Sequence, residues 1–430
     1  MPRRVPAAYD GRSSTSPACG PTGPRPRWRF RAAAVGAAVA AAVLSGGVTA
    51  PAAAAAPPGP GTYDSGHGDP ALQRALAELV AAPGGPPGAI AVLTRDGMRQ
   101  VYRAGTAEVG TGRPLRPGDH MRVASVAKAF SGAVALSLVD RRALDLDDTI
   151  GRRLPHLPAA WHAVTLRQLL QHTSGLPDFS KSQAFQDIVR ADPRHHFDSR
   201  RLLDFVSGRP LVFPPGSRYA YSNSDNIAVA LMAEEATGRS YESLLRQLVD
   251  RPLGLTSTSL PQGYRLPRPF LHGYFTAPGE PPEDVSEAIS ASGAWASGGI
   301  VSTPADLSRF IGGYAGPELL SPATRHAQQD FLPGGNSEPA GPGANAAGLG
   351  LFRYTTRCGT VLGHTGNTPG YTQFAAATRD GRRTVTVSVT SQVSTNPALL
   401  TRLRATEEHF VCALLNDRGP GAWGMRPWRS

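Results

Sequence analysis

The stretch Arg122-Val-Ala-Ser125-Val-Ala-Lys128-Ala-Phe130 decides how this chain is read. Only two lysines, Lys128 and Lys181, stand among the 44 lysines and arginines of 430 residues. Arginine keeps its proton at any ordinary pH, whereas an ammonium that is desolvated or placed near another cation can lose it. A lysine kept in so arginine-rich a chain, one helical turn after a serine, predicts an activated nucleophile with its own base. A solvated lysine that merely follows a serine would leave the same trace, so the pair needs company. Two further stretches supply it. Tyr221-Ser-Asn223 follows Ser125 by 96 residues, and His364-Thr365-Gly366 follows Asn223 by 141. Each is unremarkable alone, but their order and spacing together make a far more specific signal than Ser-x-x-Lys.

Residues 1–31 carry seven arginines and one aspartate, followed by an Ala/Val-rich run to Leu44, then Ser45-Gly-Gly and an alanine tract over residues 52–56. Basic, apolar and small-residue segments in that order predict an export signal over residues 1–56 and a secreted mature chain starting near Pro57. An uncleaved anchor is the rival reading. The run is mostly alanine and shorter than the roughly 20 apolar residues of a span, so no stable membrane anchor is expected. Removing residues 1–56 takes +6 (seven Arg minus Asp10) from the formal charge of +11 and leaves +5. The remaining arginine is diffuse, with no basic cluster interleaved with aromatics, so nucleic acid is not an expected partner. Cys19 falls within the signal, leaving Cys358 and Cys412. In an exported chain two such cysteines predict one disulfide rather than a metal site or a nucleophilic thiol. No H-E-x-x-H or C-x-x-C spacing occurs, and His195-His196 stands in a polar stretch, so no metal and no cofactor is expected.

Along the chain, residues 71–82 have helical periodicity, and residues 89–94 and 99–104 flank an Arg95-Asp-Gly97 turn as a hairpin. Residues 125–139 form the helix bearing the serine and lysine. Beyond Asp148 the pattern turns helical, with helices expected at residues 166–171, 199–207, 226–237 and 241–250. After about Ala288 it changes to Gly-rich turns and strands at 349–356, 372–378 and 384–390, closed by a helix at 397–415. Lone strands cannot bury their faces, so the two strand-rich ends must meet in one sheet. The expected fold is α+β: an antiparallel sheet flanked by helices, built from residues 57–145 and 288–430, with an all-helical insertion at 146–287. Residues 332–348 are low in complexity and read as a loose excursion or a flap over a site.

With these motifs in place, the chain resembles the serine β-lactamase and penicillin-binding-protein superfamily in its class C branch, over about residues 71–415. Leu169-Leu-Gln-His-Thr-Ser-Gly-Leu-Pro-Asp178, Arg251-Pro-Leu-Gly-Leu255 and Ser297-Gly-Gly-Ile-Val-Ser-Thr-Pro-Ala-Asp306 support the likeness. His172, within the first of these, is expected to be a packed turn residue. The resemblance implies Ser125 as the acylated nucleophile, Lys128 as its proton acceptor and Tyr221 as a relay to the leaving group. It implies Asn223 as a hydrogen-bond partner of the substrate amide, with His364, Thr365 and Gly366 along the substrate, and the backbone N–H groups of Ser125 and Asn367 as oxyanion donors. A helix N-terminus at Ser125 fits that last role. Gly363 and Gly366 would leave room for a peptide-like substrate to lie along the strand. His364 departs from the lysine usual in the β-lactamases of this branch, and a mostly neutral imidazole attracts a carboxylate less.

The expected function is a secreted serine acyl hydrolase, in the first place a D-alanyl-D-alanine carboxypeptidase acting on peptidoglycan stem peptides and acylated by β-lactams. An esterase or D-amino-acid peptidase, a class C-like β-lactamase and an inactive cell-wall peptide-binding relative are the alternatives. Gly-x-Ser-x-Gly is absent, which disfavours an α/β-hydrolase. The oligomeric state is left open.

Overall fold

Strict alternation in Thr384-Val-Thr-Val-Ser-Val389 gives a strand with two chemically different faces. The computed structural model, which describes residues 63–64, 68–95 and 97–416, buries both. The expected export signal, Cys19 and Asp96 lie outside the described residues. Among the described residues, β1 (Tyr63–Asp64), β2 (Gly88–Arg95), β3 (Met98–Gly105), β4 (Leu332–Pro333), β5 (Ala344–Ala347), β6 (Phe352–Thr356), β7 (Gly359–Thr368), β8 (Tyr371–Ala377) and β9 (Thr384–Val389) form one sheet, in the spatial order β1-β3-β2-β9-β8-β7-β6-β5-β4. Only the β1–β3 pairing is parallel. The β2–β9 pairing, with Ala91 opposite Val387, is where the two ends of the chain meet.

Helices cover both faces. On one, Val385, Val387 and Val389 share a core with α1 (Pro70–Val80) and with α5 (Pro397–Leu415), through Leu76, Leu79 and Phe410 among others. Each such side chain contributes about 1.5–3 kcal/mol relative to exposure. On the other face, Thr384, Thr386 and Ser388 lie beneath a helix, which makes their polarity no guide to solvent. That helix is α4 (Pro304–Ala315), and its Ser308 hydroxyl meets Thr384 Oγ1 at 2.6 Å. The sequence reading missed α4, although Thr303 as cap and Pro304 in the first turn are start signals. Gly312 lets the helix approach the turn after β8, because a Cβ there would stand 2.9 Å from the Gly381 carbonyl oxygen.

Helix α2 (Ala127–Asp140) is buried on every side from Ala127 to Leu138. A helix apolar all round belongs at the centre of a domain. Phe130 stacks on Phe310 of α4, and Asn226 of α3 (Asn223–Thr237) donates to the Ser131 hydroxyl at 2.8 Å. Helix α3 starts three residues earlier than its periodicity predicts, so Asn223 is fixed by the helix rather than by a loop.

The stretch 146–287 is not all helical: Tyr274–Phe275 pairs antiparallel with Glu283–Asp284. Residues 332–348 are not a loose excursion either, since β4 and β5 within them extend the sheet. Among the described residues no helix is long and apolar enough to cross a membrane.

Cys358, in the turn between β6 and β7, is bonded to Cys412 of α5 across a sequence separation of 54. Closing a loop of that length stabilises a fold by about 3–4 kcal/mol on the chain-entropy account. A Cys358→Ser/Cys412→Ser double variant is expected to lose that amount in chemical denaturation, and two titratable thiols in the unreduced, denatured parent would refute the bond.

Candidate active site

Ser125 sits in a 3-10 turn, Ala124–Val126, that runs straight into α2, with Ala124 held at φ 51°. A non-glycine residue in that left-handed region costs energy, which the surrounding packing offsets. The turn presents Ser125 at the floor of a cleft of about 620 Å³. Lys128, one helical turn on, is 1% exposed. Its Nζ lies 3.2 Å from Ser125 Oγ, 2.7 Å from Asn223 Oδ1 and 2.8 Å from the Ser297 carbonyl oxygen. Burial lowers its pKa to about 7, against the opposing pull of the Asp178 and Glu338 carboxylates. A large share of Lys128 is therefore neutral at physiological pH and able to take a proton.

Tyr221 faces the same centre, with Lys128 Nζ 4.9 Å from its ring centroid. Burial raises the phenol's pKa well above 10, and its interaction with Ser125 only partly opposes the rise. That comparison decides the chemistry available: a lysine near pKa 7 can be a base, and a buried phenol stays protonated and can pass a proton on. Behind Tyr221 stands His172 at φ 57°, its ring 4.4 Å away and its Nδ1 2.7 Å from Asp225 Oδ2. Burial pushes the His172 pKa down to about 3 and that of Asp225 up. His172 is thus a packed residue, as expected, but one that packs on a site residue.

Asn223 lines the cleft, yet both ends of its amide are already occupied. Its Oδ1 accepts from Lys128, and its Nδ2 donates to Asp178 Oδ2 at 3.1 Å and to Ser180 Oγ at 3.0 Å. Its Oδ1 holds Lys128 and keeps a second lone pair for a further donor in the cleft. Asp178, Ser180 and Ser297 were not singled out individually in the sequence, although Asp178 and Ser297 lie within the supporting stretches.

The strand motif departs most from expectation. His364 is 1% exposed, with its ring edge against Phe352 at 5.0 Å and its Nδ1 2.5 Å from the neighbouring Thr365 carbonyl oxygen. Burial pushes its pKa down to about 3. A neutral ring behind the cleft wall offers no cation to a carboxylate. The Thr365 hydroxyl donates to the Pro339 carbonyl at 2.5 Å, anchoring the flap rather than facing the cleft. Gly366 has a different reason from the one expected. A Cβ there would stand 2.6 Å from the Val123 carbonyl oxygen and 2.7 Å from Ser125 N, so the glycine makes room for the nucleophile's own turn. At Gly363 a Cβ would meet the Ala375 carbonyl oxygen of β8 at 2.0 Å. Neither glycine clears a path for substrate. Asn367, next in the strand, does line the cleft, and its side-chain oxygen accepts from Gln392 at 2.6 Å and Ser394 at 2.8 Å.

One wall of the cleft is apolar, with Phe179, Phe185, Phe197, Val189 and Ile289. Among the described residues that line it, Glu338 is the one that carries charge, and there is no arginine, lysine or histidine. A half-buried serine hydroxyl beside a deprotonatable lysine, a protonated phenol and backbone N–H groups at a helix start can perform acyl transfer through a covalent intermediate.

A strand-helix-strand scaffold with this site defines a class of serine hydrolase. The chain belongs to the Beta-lactamase family, whose model matches residues 72–408. It is 26% identical over 314 residues to "Penicillin-binding protein 4*" of Bacillus subtilis (strain 168), covering 68% of this chain and 66% of that protein. It is 28% identical over 353 residues to a "D-aminopeptidase" of Cereibacter sphaeroides (strain ATCC 17023), covering 79% and 63%. The chain thus spans just under two thirds of the length of these curated relatives. A solved D-stereospecific amidohydrolase from Streptomyces sp. superposes with a TM-score of 0.67 at 27% identity, covering 79% of this chain and 98% of that one.

If neutral Lys128 is the reactive form, acylation by a neutral ester rises roughly tenfold per pH unit up to about pH 7 and then levels off, because the proton must be lost first. Lys128→Arg, an obligate cation, is expected to lower the rate by about 10²–10⁴-fold. A flat pH profile or near-parental Lys128→Arg kinetics, measured by stopped-flow acylation, would remove Lys128 as the base. Gly366→Ala, whose methyl would crowd Ser125 N, is expected to cost about 10²–10³-fold in kcat, the size of a lost oxyanion donor. An unchanged kcat would show that the turn yields without harm.

Proposed function

We propose that this protein is a secreted serine amidohydrolase that forms an acyl-enzyme on Ser125 and prefers amides of apolar D-amino acids. Ser125 Oγ attacks the carbonyl while Lys128 takes its proton, and the oxyanion rests on the N–H groups of Ser125 and Asn367. Tyr221 passes a proton to the departing amine, and water then releases the acid. The observation that carries the substrate choice is the cleft lining. Its apolar wall of Phe179, Phe185 and Phe197 suits an aromatic or aliphatic side chain, and among the described residues its lining holds no cation for a carboxylate. D-configuration rests on the D-aminopeptidase and amidohydrolase relatives. Export is supported by the basic-then-apolar N-terminal segment and by the Cys358–Cys412 bond, which persists in oxidising compartments.

The D-alanyl-D-alanine carboxypeptidase expected from the sequence would use the same acylation chemistry, but its substrates end in a carboxylate, and among the described residues that line the cleft there is no cation to meet it. Two measurements test the reading. Incubation with benzylpenicillin or a D-phenylalanine ester followed by intact-mass analysis should add one acyl group, mapped to Ser125 and absent from Ser125→Ala. In steady-state assays, D-phenylalanine amide should exceed diacetyl-Lys-D-Ala-D-Ala in kcat/KM by at least about tenfold, the discrimination of one well-placed polar contact. The reverse ranking would restore the carboxypeptidase, and no adduct on Ser125 with any substrate would sink the mechanism.

A further inference from the structure

Glu338 is the unexplained charge of the site. Its carboxylate forms no hydrogen bond or ion pair within the described chain, and it lies exposed in the lining of the cleft that contains Ser125. It nevertheless acts electrostatically on Lys128, Tyr221 and His172, which places it close to the reacting centre.

Its backbone is far from loose. The Glu338 carbonyl accepts from Asn367 Nδ2 at 3.3 Å. The Pro339 carbonyl accepts from Thr365 Oγ1 and, at 3.0 Å, from Ser337 Oγ, while Ser337 Oγ also meets the Tyr354 hydroxyl at 2.9 Å. Strands β6 and β7 therefore fix the residues on both sides of Glu338. An unpaired carboxylate on so well anchored a segment is placed to meet something that arrives from outside.

The geometry of the reaction limits what that can be. In the proposed acylation the carbonyl oxygen rests on Ser125 N and Asn367 N, and the side chain of Asn367 also tethers the Glu338 carbonyl, so the bound acyl group and the Glu338 carboxylate share one cleft. A cation carried on that acyl group is attracted by the carboxylate. An anion there is repelled, with no cation among the described lining residues to compensate.

We propose that Glu338 receives the free α-ammonium of the substrate, so that the enzyme reads an unblocked amino terminus next to the bond it cleaves. This rests on the acyl-hydrolase reading above and assigns its substrate class: amino-acid amides and peptides with a free amine on the acylating residue, not N-acylated ones.

Binding to Ser125→Ala protein, which cannot be acylated, separates the two readings. Calorimetric titration compares D-phenylalanine amide with 3-phenylpropanamide, the same molecule without the amine. At pH 7 the amine ligand is expected to bind roughly three- to tenfold more tightly, the range for a partly exposed ion pair with a charge-assisted hydrogen bond. The preference should fall to about one in Ser125→Ala/Glu338→Gln. It should also fade above about pH 8, where an α-amino group loses its proton. In Ser125→Ala/Glu338→Lys the amine ligand should become the weaker of the two. Equal binding of both ligands to the Glu338 protein, or a preference that survives Glu338→Gln, overturns the assignment. Ser125 acylation in the parent enzyme tests the underlying mechanism independently, so a failure of one is not mistaken for a failure of the other.

Discussion

Everything in this site depends on keeping one lysine dry. Lys128 can act as a base only because α2 carries it into the centre of the molecule, where desolvation lowers its pKa to about 7. The rest of the architecture answers the resulting need for partners. Asn223 at the start of α3 and the Ser297 carbonyl both accept from Nζ, and Asp178 holds Asn223 with its oxygen towards the lysine. Arginine could satisfy the same acceptors but could not surrender a proton, which is why a chain so biased towards arginine retains a lysine here.

A buried lysine also explains why the helices between the two halves of the sheet matter. Ser125 and Lys128 come from one turn of chain, but Asn223 opens α3, Tyr221 lies just before it, and Asn367 comes from β7. Those parts are brought together by packing of α2 against α3 on one side and of the nucleophile's turn against Gly366 on the other. The close approach at Gly366 leaves no room for a methyl group. The strand and the nucleophile are therefore set in register by backbone contact, not by flexible side chains, as preorganised catalysis requires.

The charge of the cleft follows from what is absent from its walls as much as from what is present. His364 occupies the position where a lysine would supply a cation, but its ring turns inward and stays neutral. Glu338 lines the cleft from a segment tied to the same strand through Thr365 and Asn367, a segment of low complexity in the sequence. Among the described residues that line the cleft, the charge is thus that of Glu338 alone.

How much could be read in advance depends on the range of the information. The Ser125–Lys128 spacing, the Tyr221 motif, the α5 helix and the Cys358–Cys412 pair were legible because they are local patterns or because elimination left few choices. The strand-rich ends, which cannot bury their faces alone, gave the α+β architecture that joins the two ends of the chain. The start of α3 was misplaced because its first turn is polar, and α4 was overlooked although its cap was visible. The reason for Gly366, the inward ring of His364 and the placement of Glu338 were hidden, since each is set by a neighbour on another element: the Ser125 turn, Phe352 and Asn367 respectively. By itself the sequence determined which groups could react, because reactivity resides in residue type and short spacing. Only the tertiary structure decided the protonation of Lys128, the silence of His364 and the sign of the cleft, because burial and field depend on what the whole fold packs around each group.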